Sequence, residues 1–154
     1  AAAAVAGETA TIEIFDLVDI PLYDGDVEAA GVPAAVQQMH DRVAASSGLL
    51  IFSPEYNGSF PAVTKNAIDW FSRPPKSWEG TAVSMVSATP GPRAGVGVRT
   101  HFEAIMEHQP VRVFPGLGIG MYGEKMADGE LADPIAQAEI ADYIGRFADF
   151  CQAD

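Results

Sequence analysis

Short apolar runs recur along the chain, and longer amphipathic stretches separate them. The runs are rich in aliphatic and β-branched residues, which is typical of strands in the interior of a sheet. The pattern therefore predicts four strands. They cover residues 11–15, 49–52, 81–87 and 111–114.

Between and after these runs, apolar residues recur three and four positions apart, which is the spacing of one helix face. Proline is tolerated in a first helical turn, and Pro33 and Pro61 stand where two of these stretches begin. Pro74-Pro75 ends the second stretch, because proline cannot continue a helix. The predicted helices cover residues 32–43, 61–71, 98–106 and 140–151.

Strand and helix alternate throughout, and this order predicts an α/β fold. Such a fold has a parallel sheet with helices on both faces and right-handed crossovers. A chain of 154 residues is expected to form a single domain, here 1–154. The glycine-rich stretch 115–129 is predicted to be a long loop after the last strand.

Composition narrows the class of partner. The net charge of −12 argues against DNA or RNA, because phosphate binding needs clustered Lys and Arg. The charge either serves solubility or forms a docking surface for a basic partner. No apolar run is long enough to cross a membrane. The single cysteine, Cys151, excludes an intramolecular disulfide and fits a reducing, cytoplasmic setting.

The most informative segment follows the second predicted strand. It is a polar loop that contains both glycine and an aromatic residue. Ligands bind beyond the carboxyl ends of the strands in an open parallel sheet, so this loop is a candidate ligand-binding site. Its residues are Pro54, Glu55, Tyr56, Asn57 and Gly58.

A second candidate loop follows the third predicted strand and includes Ser87, Thr89 and Gly91. It is either a plain strand-to-helix turn or a second wall of the same crevice.

The sequence supports neither a metal site nor a glycine-rich dinucleotide-binding motif. His40, His101 and His108 lack metal-ligand spacing with Cys or carboxylates, and we interpret them as surface or cap residues. Neither glycine cluster reads Gly-x-Gly-x-x-Gly, so we interpret both as turn glycines. The clusters are Gly91, Gly95, Gly97 and Gly116, Gly118, Gly120.

The segment from Ser53 to Trp70, with its Pro-Glu-Tyr-Asn loop and Lys-Asn-Ala-Ile-Asp-Trp block, resembles the NADPH-dependent FMN reductase family. These are flavodoxin-like flavoproteins that include quinone, chromate and azo-dye reductases. Residues 19–24 look like the segment after the family's second strand, and 87–91 like its third flavin loop. The resemblance covers roughly residues 1–150.

One feature of the family has no counterpart. The Gly-Ser-x-Arg-type loop that cradles the FMN phosphate after the first strand is missing, and residues 1–7 look like the end of the first helix. The resemblance therefore implies an N-terminally incomplete domain, with that strand and loop lying before residue 1.

The resemblance implies a flavodoxin-like three-layer sandwich with strand order 2-1-3-4-5. It further implies FMN as cofactor, NADPH or NADH as co-substrate, and a quinone, flavin, azo or metal-oxyanion acceptor. Both candidate loops would bind FMN. No catalytic side chain and no metal are expected, because the flavin carries the chemistry. The alternative is a flavodoxin-type FMN electron carrier without NAD(P)H activity of its own.

Several roles stay open at this point. Tyr56 contacts the flavin or packs on Phe60, and Glu55 touches flavin or accepts a hydrogen bond from a nearby backbone N–H. Lys65 and Arg93 either hold the extra phosphate of NADPH or are surface charges of a helix.

The resemblance also implies a homodimer or homotetramer. The aromatic residues Trp70, Phe71 and Trp78 are the expected interface, because large apolar patches mark contact surfaces.

Overall fold

The computed structural model describes residue 6 and residues 10–153. Five helices, six strands and one 3₁₀ turn at Tyr122–Lys125 lie within this part of the chain. In chain order the elements are α1 (Gly25–Ala30), α2 (Ala34–Ala44), β1 (Gly48–Ser53), α3 (Ala62–Phe71), β2 (Ala82–Ala88), α4 (Val96–Met106), β3 (Arg112–Val113), β4 (Leu117–Ile119), β5 (Met126–Ala127), β6 (Glu130–Leu131) and α5 (Pro134–Gln152). None of these helices is long and apolar enough to cross a membrane.

The main sheet is parallel, and β2 lies at its centre. β1 pairs with one edge of β2, from Gly48 opposite Ala82 onwards. β3 and β4 pair in succession with the other edge. The predicted α/β class is therefore confirmed, while the full order 2-1-3-4-5 stays a prediction.

The two faces of the sheet have different helical cover. On one face, Val83 and Met85 of β2 pack with α2, α3 and α4. On the other, Val86 packs with β4 and α5. This gives the three layers expected of the fold.

The last strand is interrupted, which the sequence did not indicate. β3 and β4 are two parts of one strand, separated by Phe114, Pro115 and Gly116. Pro115 has no N–H to donate to the ladder. A Cβ on Gly116 would lie 2.7 Å from the carbonyl oxygen of Met85. The predicted loop 115–129 is thus wrong in part, since it contains β4 and β5, and β5 pairs antiparallel with β6 just beyond it.

Residues 11–15 do not form the predicted strand. In the predicted order, this strand would pair only with the strand before it, and no strand precedes it among the described residues. β1 is consequently an edge strand in this part of the chain. Its residues are mostly half-buried, and Phe52 is 52% exposed, instead of being covered on both sides.

The aromatic residues predicted at an interface are buried inside the chain. Trp70 and Trp78 are fully buried, and Phe71 stacks on Trp78 with ring centroids 5.1 Å apart. The segment before α1 lies against Trp70, because the Trp70 indole N–H and the Asn66 amide both donate to the carbonyl of Pro21, at 2.9 and 2.8 Å. The prediction of an aromatic interface here is wrong.

His40 is also buried, which corrects its interpretation as a surface residue. Only 1% of it is exposed, its Nδ1 lies 2.7 Å from Ser77 Oγ, and its ring meets the edge of Phe71. Burial lowers the pKa of His40, while the backbone carbonyl of Trp70 and the charge of Asp41 act in the opposite direction.

We predict that His40 makes the fold acid-sensitive. The unfolded chain binds a proton near the ordinary histidine pKa of about 6.5, whereas the folded chain resists it. The contribution of His40 to stability is therefore complete above that pH, and it is lost as pH falls through the lowered folded value. Urea unfolding between pH 5 and 8 measures this, and His40→Gln should flatten the profile. His108→Gln, at an exposed histidine, is the control; an equal pH slope in wild type and His40→Gln would contradict the prediction.

Candidate functional site

Three strands end at one edge of the sheet, where both candidate loops begin. β1 ends at Ser53, β2 at Ala88 and β4 at Ile119. Register pairing puts Ser53 beside Ser87 and Ala88 beside Ile119. This is the position at which open α/β sheets bind ligands.

The first loop is a tight two-residue turn. The backbones of Tyr56 and Ser59 exchange hydrogen bonds of 2.8 and 3.0 Å. Between them, Asn57 and Gly58 have φ values of 53° and 76°. Asn-Gly is the sequence that best tolerates positive φ at both central positions of a hairpin turn. The turn leaves the N–H groups of Asn57 and Gly58 without a hydrogen-bond partner in the described part of the chain.

Tyr56 lies at the surface of this turn, with 61% of it exposed. The ring of Phe60 does not stack on Tyr56. Phe60 is buried and stacks on His101, with ring centroids 4.9 Å apart and planes inclined by 14°. The described chain therefore contains no ring stack between Tyr56 and Phe60, and the largely exposed Tyr56 ring is available to a ligand.

Glu55 connects the first loop to α4. Its Oε2 accepts a hydrogen bond of 2.9 Å from the backbone N–H of Val98, in the first turn of that helix. The N-cap of α4 is Gly95, which has no side chain to satisfy this N–H. A carboxylate at a helix N-terminus is also favoured by the helix dipole. Of the two roles left open for Glu55, this is the backbone-acceptor role.

The second loop is fastened to the chain that follows β4. The N–H of Thr89 donates to Ile119 O at 2.9 Å, and the N–H groups of Met121 and Tyr122 donate to the carbonyls of Gly91 and Thr89. Thr89 and Gly91 are half-buried. Their backbone lies beyond the carboxyl end of β2, where the second wall of a ligand crevice is predicted.

Ser87 does not face this crevice with its side chain. It is fully buried, and its hydroxyl donates to Ala94 O at 2.8 Å. The guanidinium of Arg99 donates to the same hydroxyl at 2.5 Å and also to Ala94 O. The hydroxyl of Ser87 therefore anchors the loop from beneath, and a contact between Ser87 and FMN stays a prediction.

Arg99 is a residue that sequence reasoning missed. Its side chain lies against β4 and the chain before it, where Gly116 and Gly118 leave room for it. A Cβ on Gly116 would lie 2.8 Å from Arg99 Cδ, and one on Gly118 would overlap the guanidinium. Gly118 is thus a strand glycine and not a turn glycine. No spacing rule links an arginine in α4 to glycines that pair with β2, so the sequence gives no signal of it.

Both loops converge on the start of α4. A Cβ on Gly95 would lie 2.7 Å from Ser87 Cβ and 3.3 Å from Thr89 Cγ2. A Cβ on Gly97, inside the helix, would lie 3.0 Å from Glu55 Oε2 and 3.1 Å from the carbonyl oxygen of Gly58. The two predicted loops are therefore neighbours, held by one helix end.

The basic residues near the crevice differ in their surroundings. Lys65 Nζ lies 2.5 Å from Asp69 Oδ1 one turn along α3, which supports its interpretation as a helix-surface charge. Arg93 is exposed and makes no ion pair in the part of the chain that the structure describes. That part also contains no cluster of His, Cys, Asp and Glu that could hold a metal.

The crevice suits a flat ring with polar edges. The unpartnered N–H groups of Asn57 and Gly58 are donors for ring carbonyls and nitrogens. A Cβ on Gly58 or Gly91 would meet nothing within 4 Å, so the backbone of each loop can be approached closely. The exposed Tyr56 ring adds an apolar face. These residues fit the isoalloxazine of FMN.

Comparison with known proteins identifies the family of the chain. The profile of the family described as NADPH-dependent FMN reductase matches residues 1–122. The chain belongs to this family. As a member, it is a flavin-dependent NAD(P)H oxidoreductase with FMN as cofactor and NAD(P)H as co-substrate.

Family relatives align over different shares of their length. A quinone reductase of Pseudomonas putida is 31% identical over 95% of this chain and 81% of its own. The NAD(P)H-dependent FMN reductase of Pseudomonas aeruginosa is 44% identical over 53% of this chain, which is only 44% of that protein. The structure of FerB, a flavoenzyme NAD(P)H:(acceptor) oxidoreductase from Paracoccus denitrificans, matches 98% of this chain and 85% of its own, with a TM-score of 0.86 and 26% identity.

We predict that Gly97→Ala weakens FMN binding. The added methyl group would crowd both Glu55 and Gly58 at the distances given above, so the first loop must move away from α4. A cost of about 1 kcal/mol, at the low end for overpacking, raises the FMN dissociation constant about fivefold. Titration of the apoprotein with FMN measures it. Gly25→Ala, where a Cβ meets nothing within 4 Å, is the control; unchanged FMN affinity in Gly97→Ala would show that the loop is not held there.

Proposed function

We propose that the whole protein oxidises NADPH or NADH and delivers the electrons to a small-molecule acceptor, with a quinone as the first candidate. Flavins, azo compounds and metal oxyanions are the other acceptor classes. The exposed turn at the carboxyl edge of β1, with unpartnered N–H groups beside an accessible aromatic ring, is the observation that carries the proposal. The net charge of −12 disfavours nucleic acid as a partner.

FMN, when bound, supplies the redox chemistry, since a flavin takes up a hydride from a nicotinamide and passes electrons on. The protein then has to bind and orient flat rings in near-attack contact. We assign this work to the loops. Asn57 and Gly58 donate backbone N–H groups to a polar ring edge, Tyr56 offers an apolar face, and Pro54 leads the chain from β1 into the turn.

The remaining residues of the proposed site either hold the loops in place or offer backbone groups to the ring. Glu55 fixes the first loop on α4 and Ser87 fixes the second loop from below, so neither needs to touch FMN. Thr89 and Gly91 present backbone to the ring edge. No side chain in this set has to transfer a proton for hydride transfer, so we name no catalytic residue.

Turnover of the purified full-length protein tests the proposal against the electron-carrier alternative. We expect a yellow protein with one FMN per chain that oxidises NADPH or NADH without a partner protein. Initial rates against both substrates should give the parallel lines of a ping-pong reaction, because one crevice serves both in turn. FMN reduction that requires an added reductase would identify a carrier, and a colourless protein that cannot be reconstituted with FMN would exclude both.

We predict that Tyr56→Ala lowers ligand affinity and leaves the fold intact. A ring contact of this kind contributes about 0.5–1.5 kcal/mol beyond area burial, which corresponds to roughly a two- to tenfold loss. Titrations with FMN and NADPH, together with the melting temperature, measure both effects. Tyr56→Phe should restore affinity, and Ile135→Ala, at an exposed residue of α5, is the control. A large fall in melting temperature with unchanged affinities would contradict this role.

We also propose a cytoplasmic homodimer or homotetramer. The reducing setting rests on the single cysteine. With the tryptophans buried, the apolar side chains of the segment before α1 become the candidate interface. Ile14, Val18 and Leu22 are 81%, 78% and 77% exposed.

For this assembly we predict that Leu22→Lys shifts the protein toward monomer in sedimentation at micromolar concentration, because a charge in an apolar interface is costly to bury. Ile135→Lys, at an equally exposed side chain, is the control and should leave the assembly unchanged. A wild-type monomer at this concentration would remove the proposal.

A further inference from the structure

The turn that presents Tyr56 has a second attachment to α4, independent of Glu55. Ser59 Oγ and His101 Nδ1 lie 2.7 Å apart, a distance at which one of them donates to the other. His101 is three residues beyond Val98, so the two attachments lie within one turn of α4. The first loop is therefore joined to one helix at two points, one on each side of the turn.

Ser59 connects His101 to the turn. Its backbone N–H and carbonyl both pair with Tyr56, so Ser59 closes the turn that contains Asn57 and Gly58. The next residue, Phe60, stacks on the His101 ring. His101 thus contacts two consecutive residues at the base of the turn, one by a hydrogen bond and one by ring packing.

The turn itself has few other restraints. Asn57 and Gly58 are exposed, and both have positive φ. A ligand that binds such a turn loses affinity if it must first order it, and contacts that order it beforehand remove that cost. The attachments through Glu55 and His101 are the side-chain contacts that restrict it from the α4 side.

We propose that His101 is a positioning residue for FMN: through Ser59 and Phe60 it holds the Asn57–Gly58 turn in the conformation that binds the flavin ring. This rests on the proposed assignment of the turn to FMN. His101 does not itself contact the ring in this role, and it exchanges no proton with it.

Three substitutions separate the two contacts. His101→Leu removes both, His101→Phe keeps a ring on Phe60 without the hydrogen bond, and His101→Asn keeps a polar group near the Nδ1 position without the stack. Loss of one neutral hydrogen bond corresponds to an increase of about two- to tenfold in the FMN dissociation constant. We expect at least this for His101→Phe, a larger increase for His101→Leu, and partial recovery for His101→Asn.

A double-mutant cycle tests whether His101 acts on the turn through Ser59. Ser59→Ala alone should weaken FMN binding as much as His101→Phe does, and the double variant should be no weaker than either single variant. Hydrogen exchange of the hydrogen-bonded backbone amides of Tyr56 and Ser59 in the apoprotein gives a readout without flavin, and it should become faster in the same variants. His108→Leu, at an exposed histidine beyond α4, is the control for both measurements.

The outcomes are distinct. Unchanged FMN affinity in His101→Phe and Ser59→Ala, or additive effects of the two, would overturn the role of His101 while leaving the proposed function in place. A melting temperature that falls in parallel with affinity, with unchanged exchange of the Tyr56 and Ser59 amides, would show a general structural role and also overturn it. A wild-type protein that binds no FMN would overturn the proposed function first, and the positioning role with it.

Discussion

The structure depends on the parallel ladders of β2. Residues 82–87 of this strand are all buried, and the strand pairs along one edge with β1 and along the other with β3 and β4. A strand in this position can satisfy its backbone groups only through its neighbours, since no water reaches them. Its carboxyl end therefore fixes where β1 and β4 stop, and so where the two candidate loops meet.

The N-terminus of α4 holds both candidate loops at that edge of the sheet. Its first turn has no capping side chain of its own, and the chain supplies Glu55 from another loop. The same turn carries Gly97, where only the absence of a side chain allows the first loop to approach. The consequence is that the geometry of the ligand loops is set by a helix that contributes few atoms to the crevice itself.

Much of this arrangement could be predicted from the sequence. The helices α2, α3, α4 and α5 follow apolar periodicity, and β1 and β2 follow short apolar runs, since burial of one face or of a whole strand leaves a readable pattern. The Asn-Gly turn was also predictable, because few sequences tolerate positive φ at both positions. The loop 54–58 could be assigned a role through its place after a strand and through family resemblance.

The rest depends on contacts between distant residues, which a local pattern cannot show. Residues 11–15 have the composition of a strand, but a strand also needs a partner, and none lies beside them in the described chain. A local pattern does not show that Trp70 and Trp78 are buried. Trp70 donates a hydrogen bond to the carbonyl of Pro21, and Trp78 stacks on the ring of Phe71. Ser87 and His101 likewise gain their roles only from partners brought near by folding.

The packing of Arg99 against Gly116 and Gly118 has a consequence for sequence variation. The Arg99 side chain occupies part of the space that side chains at these positions would fill, and its guanidinium binds the base of the second loop at the same time. Backbone closes the rest of that space, because a Cβ at position 118 would also meet the carbonyl oxygen of Ala94 and one at position 116 that of Met85. Among relatives that keep this backbone, positions 116 and 118 should therefore remain glycine even where the residue at position 99 is smaller.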